Sequence, residues 1–74
     1  MNTSGIGDRW LAGERVDGIA FAHHARVAIL GGSRDGQTGT ITLLLAVRPE
    51  PLYLVTLDDG GDLRVKQSSL QALD

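Results

Sequence analysis

The sequence predicts a small all-β domain of about five short antiparallel strands, preceded by an N-terminal arm. Three observations predict it: apolar residues alternate with other residues along several short runs, glycine and proline separate these runs, and 74 residues suit a single domain. The apolar fraction of 42% with 22% charged residues is typical of a folded chain. Because the chain has no cysteine, we expect apolar packing and turn chemistry to stabilise it, with a partner subunit as a further source.

The arm is predicted over residues 1–17, either poorly ordered or with a short helix. A helix from about Arg9 to Val16, with Asp8 as its N-cap, is one alternative, although Gly13 in its interior costs about 1 kcal/mol relative to alanine. We favour the other alternative, in which about the first ten residues are poorly ordered and a short strand forms near residues 18–23. Apolar or aromatic side chains alternate along that segment: Ile19, Phe21 and His23.

The first two strands are predicted at residues 25–30 and 38–47, on either side of a glycine-rich loop. In the first strand, Val27 and Ile29 point to one side, as in a strand with one buried face. The second strand is rich in β-branched and aliphatic residues, begins by alternating and then becomes apolar on both faces. Four glycines within residues 31–39 permit the tight turns of the loop.

The second half of the chain predicts a hairpin. Two prolines within residues 48–51 withhold backbone donors, so this segment connects strands. The third strand is predicted at residues 52–57 and the fourth at 62–66, joined by the Asp-Asp-Gly-Gly turn at 58–61. A single helical turn and a short last strand follow within residues 68–73. The predicted core is Val27, Ile29, Ile41, Leu43, Leu54, Leu63 and Val65.

The spacing of residues around the first loop resembles a known motif. The pattern V-x-I-x-x-G-x-x-x-G-x-x-G-x-I, which is similar to the KOW motif, is formed by Val27, Ile29, Gly32, Gly36, Gly39 and Ile41. The resemblance covers about residues 25–43, and residues 53–61 and 68–73 look like the second hairpin and closing turn of the same fold. It implies a Src-homology-3-like (SH3-like) barrel over residues 18–74, and it implies association with nucleic acid or the ribosome as one possible function.

Charge and hydropathy limit the classes of partner. The formal net charge is −2 with a single lysine, so no broad cationic field attracts a polyanion. Nucleic acid is therefore a possible partner that is not favoured. No signal-peptide pattern and no apolar run of about 20 residues occurs, so we expect a cytoplasmic protein without a membrane partner.

No set of residues predicts catalysis, a cofactor or a metal site. His23 and His24 would face opposite ways on a strand, and no cysteine completes a set of metal ligands. Asp58 and Asp59 precede Gly60-Gly61, which explains both as turn formers. No serine lies in a nucleophile signature. We expect no catalytic residue, although an enzyme whose site forms only at an oligomer interface remains an alternative.

The candidate binding residues are Trp10, Arg34, Leu44, Arg48 and Tyr53. Trp10 is the candidate for a partner contact, because buried tryptophan anchors are enriched at interfaces. Tyr53 is expected in the core or on the sheet surface. Arg34 and Arg48 are among the cations that would contact nucleic acid if they gather on one face.

Leu44 belongs to a strand that is apolar on both faces, so something must cover it. The two possible covers are the N-terminal arm and a second copy across a two-fold axis, and the small size of the core favours the second copy. The sequence therefore predicts a non-catalytic protein-interaction module that forms a homo-oligomer. A nucleic-acid- or ribosome-associated KOW-like protein is the alternative.

Overall fold

A computed structural model of the chain describes residues 6–73, with side chains from residue 8 onward. One short helix, α1, spans Ile6–Leu11. Five strands follow: β1 at Arg26–Ile29, β2 at Thr38–Ala46, β3 at Leu52–Leu57, β4 at Asp62–Lys66 and β5 at Leu70–Ala72. They form one antiparallel sheet in the order β4-β3-β2-β1-β5, which confirms the predicted all-β class with five antiparallel strands. No pairing joins β4 to β5 within the described residues, so the sheet is not closed.

The helix lies earlier than the predicted range of 9–16 because Gly13 ends it. Gly13 has a φ of +86°, and its N–H donates to the carbonyl of Trp10 at 3.0 Å. The N–H of Glu14 donates to the carbonyl of Arg9 at 3.0 Å, so the two bonds close a Schellman motif. The expected disorder of about the first ten residues is wrong for residues 6–10, which form most of α1, and its other part falls on residues 1–5, which lie outside the described residues.

The predicted strand at 18–23 is wrong. The chain turns there, since Gly18 has a φ of +84° and His24 a φ of +73°. His23 and His24 therefore do not face opposite ways, and their rings stack with centroids 3.7 Å apart. Instead of adding a strand, this segment packs on the sheet, where Ile19 is buried in the core.

The core lies between one face of the sheet and the arm. Its buried residues are Trp10, Val16, Ile19, Val27, Ile29, Ile41, Tyr53, Val55, Leu57, Val65 and Leu70. Four predicted core residues, Val27, Ile29, Ile41 and Val65, are confirmed. Leu63 is half-buried and packs against the core.

Two core predictions are wrong. Leu43 is 43% exposed, and Leu54 is only half-buried because β3 buries its other face. On β3 the buried side chains are Tyr53, Val55 and Leu57. Since β3 is apolar at nearly every position, alternation alone does not tell which face is inside.

One glycine of the KOW-like pattern is required by packing. A Cβ atom on Gly39 would lie 2.6 Å from the backbone carbonyl oxygen of Thr56 and 2.8 Å from Cγ1 of Val55. Gly39 therefore lets β2 lie against β3 at this point. Within residues 6–73, no helix has the length and apolar character to cross a membrane.

Candidate interaction surface

Two β-bulges decide which side chains of β2 face outward. The register with β3 shifts after Ile41 and again after Leu44, so that β2 has an extra residue at Thr42 and at Leu45. A bulge adds one residue to a strand and changes the direction of the side chains that follow. Leu44 therefore packs against the core, while Leu43 and Leu45 point outward with 43% and 42% of their surfaces exposed.

The outward leucines of β2 lie beside those of β3. Leu43 is the direct register partner of Leu54, and Leu52 is the next outward residue on β3. Leu52 and Leu54 are half-buried. These four residues are called the leucine face: Leu43, Leu45, Leu52 and Leu54. Contiguous exposed apolar surface on a small domain marks an interaction site more often than scattered single residues do.

Three cations flank the leucine face. On β4, Arg64 is the register partner of Leu54 and Lys66 is the register partner of Leu52. Arg48, after β2, lines a small recess together with Leu52 and Lys66. Arg48, Arg64 and Lys66 are all exposed, and they are called the cationic rim.

Several charged groups outside the cationic rim have partners of their own. Arg9 pairs with Glu14 at 3.3 Å, and Arg26 pairs with Asp58 at 2.6 Å. Beside the rim, the carboxylate of Glu50 accepts hydrogen bonds from the N–H and hydroxyl of Ser68 at 3.1 and 3.3 Å. Within residues 8–73 no rim cation has an ion-pair partner, so this surface is positive although the whole chain is acidic.

The opposite end of the outer face is polar and internally paired. Both guanidinium nitrogens of Arg26 donate to the carboxylate of Asp58, at 2.6 and 2.9 Å, and the hydroxyl of Thr38 donates to the same carboxylate. The hydrogen bonds from Arg26 and Thr38 lower the pKa of Asp58 below its ordinary value. Asp59 acts in the hairpin turn, where its Oδ1 accepts the N–H of Gly61 at 3.1 Å. This arrangement suits a structural ion pair and a turn.

Two of the five candidate binding residues, Trp10 and Tyr53, are buried, and a third, Leu44, is half-buried against the core. Trp10 is 2% exposed and its Nε1 donates to the carbonyl of Phe21 at 2.7 Å, so it anchors the arm in the core and does not form the expected surface contact. Tyr53 is fully buried, and burial raises the pKa of its phenol. Its hydroxyl donates to Oε1 of Gln67 at 2.6 Å. Leu44 is half-buried and packs against the core that the arm helps to form, which is the first of the two predicted covers; self-association through this strand stays a prediction.

The other two candidates are exposed. Arg48 belongs to the cationic rim. Arg34 lies in the 3-10 turn Gly32–Arg34 between β1 and β2, with its Nη1 3.5 Å from Oε1 of Gln37, and it lines a groove together with Arg64. Arg34 and Arg64 line one groove beside β4, and Arg48 and Lys66 line a second recess.

The outward residues Leu43, Leu45 and Leu52 were not among the sequence candidates. The signal for Leu43 and Leu45 is the apolar run of β2, but the assignment of these residues to the outer face requires the bulges. Among the described residues, no group of three or more His, Asp or Glu side chains lies where it would hold a metal ion.

Comparison with known proteins identifies no relative of this chain, so a functional conclusion rests on the leucine face and its cationic rim. The KOW-like pattern stays a resemblance carried by the residues of one loop and its two flanking strands. No model of a known protein family, no curated protein and no solved structure matches this chain.

Proposed function

We propose that this chain is a non-catalytic SH3-like interaction module whose leucine face binds an apolar segment of another protein that carries acidic side chains. The observation that carries the proposal is the position of four outward leucines beside three cations that have no ion-pair partner among residues 8–73. The loop between β1 and β2, the β3–β4 hairpin and the 3-10 turn before β5 support the SH3-like assignment.

The leucines supply most of the affinity in this proposal. Full burial of a leucine is worth about 1.5–3 kcal/mol, so covering the exposed two fifths of Leu43 or Leu45 contributes on the order of 1 kcal/mol each. An exposed ion pair contributes roughly 0.2–1 kcal/mol and weakens with salt. The rim therefore acts mainly on the choice of partner and the rate of association.

The rim favours a different protein over a second copy. A two-fold interface uses the same surface of both subunits, so it would gather two sets of the rim cations Arg48, Arg64 and Lys66 at its border. A partner with carboxylates neutralises the same charges. Nucleic acid is the less suitable occupant because the four leucines between the cations offer nothing to phosphates.

Selection of random twelve-residue peptides displayed on phage tests the proposal. Against the immobilised wild-type domain, we expect enrichment of peptides that combine aliphatic or aromatic residues with Asp and Glu. Replacement of both Leu43 and Leu45 by threonine, which keeps β propensity, is expected to weaken binding of the enriched peptides by about ten- to thirtyfold, from roughly 2 kcal/mol of lost burial. Leu73→Thr is the matched control, because Leu73 is 45% exposed outside the leucine face.

The rim is tested separately by Arg64→Glu with Lys66→Glu, which should shift the selected peptides from acidic to basic. Enriched peptides that are basic for the wild type, or that bind the double threonine variant equally well, would contradict the proposal. If light scattering shows that the wild type is a dimer and the double threonine variant is a monomer, the leucine face binds a second copy of the chain. Tight nucleic-acid binding that survives this variant would support the KOW-like alternative instead.

A further inference from the structure

β4 is an edge strand whose outer edge has no strand partner among the described residues. It pairs with β3 alone, and it ends the strand order of the sheet. Two backbone bonds fix the direction of its peptide groups: Leu57 N–H donates to the carbonyl of Gly61 at 2.6 Å, and Gln67 N–H donates to that of Pro51 at 2.9 Å. Because the direction alternates along a strand, Lys66 and every second residue before it point their N–H and C=O groups away from β3.

A shallow groove of about 440 Å³, with both apolar and polar lining residues, runs beside this edge. The apolar side chains that line it include Leu30, which is 42% exposed, and Leu63, which is half-buried. The loop at residues 31–34 and Ser69 line the groove as well. An added strand would therefore find backbone groups of β4 that pair with no strand among the described residues, and a recess beside them that offers Leu30 and Leu63 as apolar contacts.

The charges around the edge select the side chains of such a strand. Arg64 and Lys66 are exposed on the outward face of β4, and Arg34 lines the groove. Two carboxylates lie nearby: Asp35 accepts the N–H of Gly31 at 2.6 Å, and Asp62 accepts the hydroxyl of Thr56 at 2.9 Å. The three cations outnumber these two carboxylates, so the edge keeps a positive balance. Charged residues on an edge strand hinder pairing with a like-charged strand, and here they favour an acidic one.

We infer that the free edge of β4 takes up an extended segment of a partner as an additional antiparallel or parallel strand, and that this segment alternates acidic with apolar residues. Its acidic side chains lie on the outward face beside Arg64 and Lys66, and its apolar side chains enter the groove at Leu30 and Leu63. Backbone hydrogen bonds hold the segment, and the alternate side chains select it. The acidity of the partner rests on the proposed function, whereas the edge itself is a separate contact surface from the leucine face.

A proline substitution tests the edge because it removes one backbone donor with little other change. Lys66 has a φ of −72°, which proline adopts, and its N–H points away from β3, so Lys66→Pro leaves the β3–β4 bonds intact. Lys66→Ala is the matched control for the lost charge. The probe is a seven-residue peptide that alternates glutamate and valine. It is titrated into the ¹⁵N-labelled domain, and binding is measured from the changes in backbone amide chemical shift.

We expect the peptide to shift the amides of residues 62–66 and 30–34, and a version with lysine in place of glutamate to bind at least tenfold more weakly. Lys66→Pro should weaken binding roughly three- to tenfold relative to Lys66→Ala, the effect of one lost hydrogen bond. A circular dichroism spectrum equal to that of the wild type checks that the proline variant is folded. In a strand that pairs along one side, only every second residue directs its N–H toward the partner. N-methylation of the odd-numbered or of the even-numbered peptide residues, but not of both sets, should therefore abolish binding.

Absence of these shifts at millimolar peptide, or equal binding by the proline and alanine variants, would overturn the inference. The double threonine variant of Leu43 and Leu45 should bind this peptide as the wild type does. If the double threonine variant binds the library peptides as the wild type does, while Lys66→Pro weakens binding of the Glu-Val peptide, the proposed function is wrong and the inference about the edge of β4 is supported. If the double threonine variant loses binding of the library peptides, while the Glu-Val peptide does not bind the wild type, the inference about the edge is wrong and the proposed function is supported.

Discussion

Gln67 is expected to hold the N-terminal arm against the sheet, and its replacement by leucine tests how the arm contributes to stability. The side-chain Oε1 accepts the hydroxyl of Tyr53 at 2.6 Å and the N–H of Ala20 at 2.8 Å, while its Nε2 donates to the carbonyl of Gly18 at 3.2 Å. Gln67→Leu removes all three bonds with a side chain of similar size. The arm loses two of its polar contacts, and the sheet loses the partner of a buried phenol.

The cost is dominated by Tyr53. Ala20 and Gly18 are exposed, so water replaces Gln67 at both backbone groups. The Tyr53 side chain is 0% exposed, and backbone groups of Phe21 and Ala20 also hydrogen-bond to its oxygen, so Gln67→Leu removes the acceptor of its O–H. A buried donor without an acceptor costs about 1–3 kcal/mol. We therefore expect the free energy of unfolding to fall by about 2 kcal/mol. For a chain of this size that is a large part of a total of roughly 4–11 kcal/mol.

Urea unfolding measures the change. With a slope of about 1 kcal/mol per molar urea, the midpoint should fall by about 2 M with the slope unchanged. The single tryptophan, Trp10, reports the docking of the arm by fluorescence, and far-ultraviolet circular dichroism reports the sheet. Because arm and sheet share one core, the two signals should give the same midpoint. Gln71→Leu, at an exposed position on β5, is the control.

A double-mutant cycle separates the hydrogen bond from other effects. Tyr53→Phe removes the buried hydroxyl, so leucine at position 67 then leaves no phenol without a partner. The double variant should be more stable than the sum of the two single effects predicts, by roughly 1 kcal/mol. Additive effects, or a midpoint for Gln67→Leu within about 0.5 M of the wild type, would refute the assignment of Gln67 to the docking of the arm.

Three further outcomes are expected. Hydrogen bonds from Arg26 lower the pKa of Asp58, so the stability that this carboxylate contributes is complete above its unfolded pKa of about 4 and is lost as the pH falls below that value. Between pH 5 and pH 2, the urea midpoint of Asp58→Asn should therefore fall less steeply with pH than that of the wild type. An equal dependence of the midpoint on pH in both proteins would contradict this. Gly39→Ala should cost roughly 1–3 kcal/mol, because the new Cβ meets a backbone carbonyl of β3 at 2.6 Å, and thermal unfolding should occur at least 4 °C lower. Leu44→Asp should unfold the domain while Leu43→Asp leaves it folded, as judged by circular dichroism, and the reverse result would refute the bulge at Thr42.

The sequence by itself determined where the strands begin and end. Glycine, proline and the Asp-Gly turn act locally on backbone angles, so strands predicted at 52–57 and 62–66 coincide with β3 and β4. The strand predicted at 38–47 matches β2 to within one residue for the same reason. At 18–23 the alternation of apolar side chains is misleading, because the segment turns at Gly18 and again at His24, whose positive φ no sequence pattern indicates.

Only the tertiary structure decided which residues lie inside. A strand that is apolar on both faces can bury either face. Whether Leu54 or Tyr53 of β3 is buried therefore depends on what packs against each face. The bulges of β2 depend on pairing with β3, and they place Leu44 inward and Leu43 outward. The arm supplies Trp10 to the core through contacts distant in the sequence. The leucine face exists because burial of the other face, by this arm, leaves those leucines without a cover.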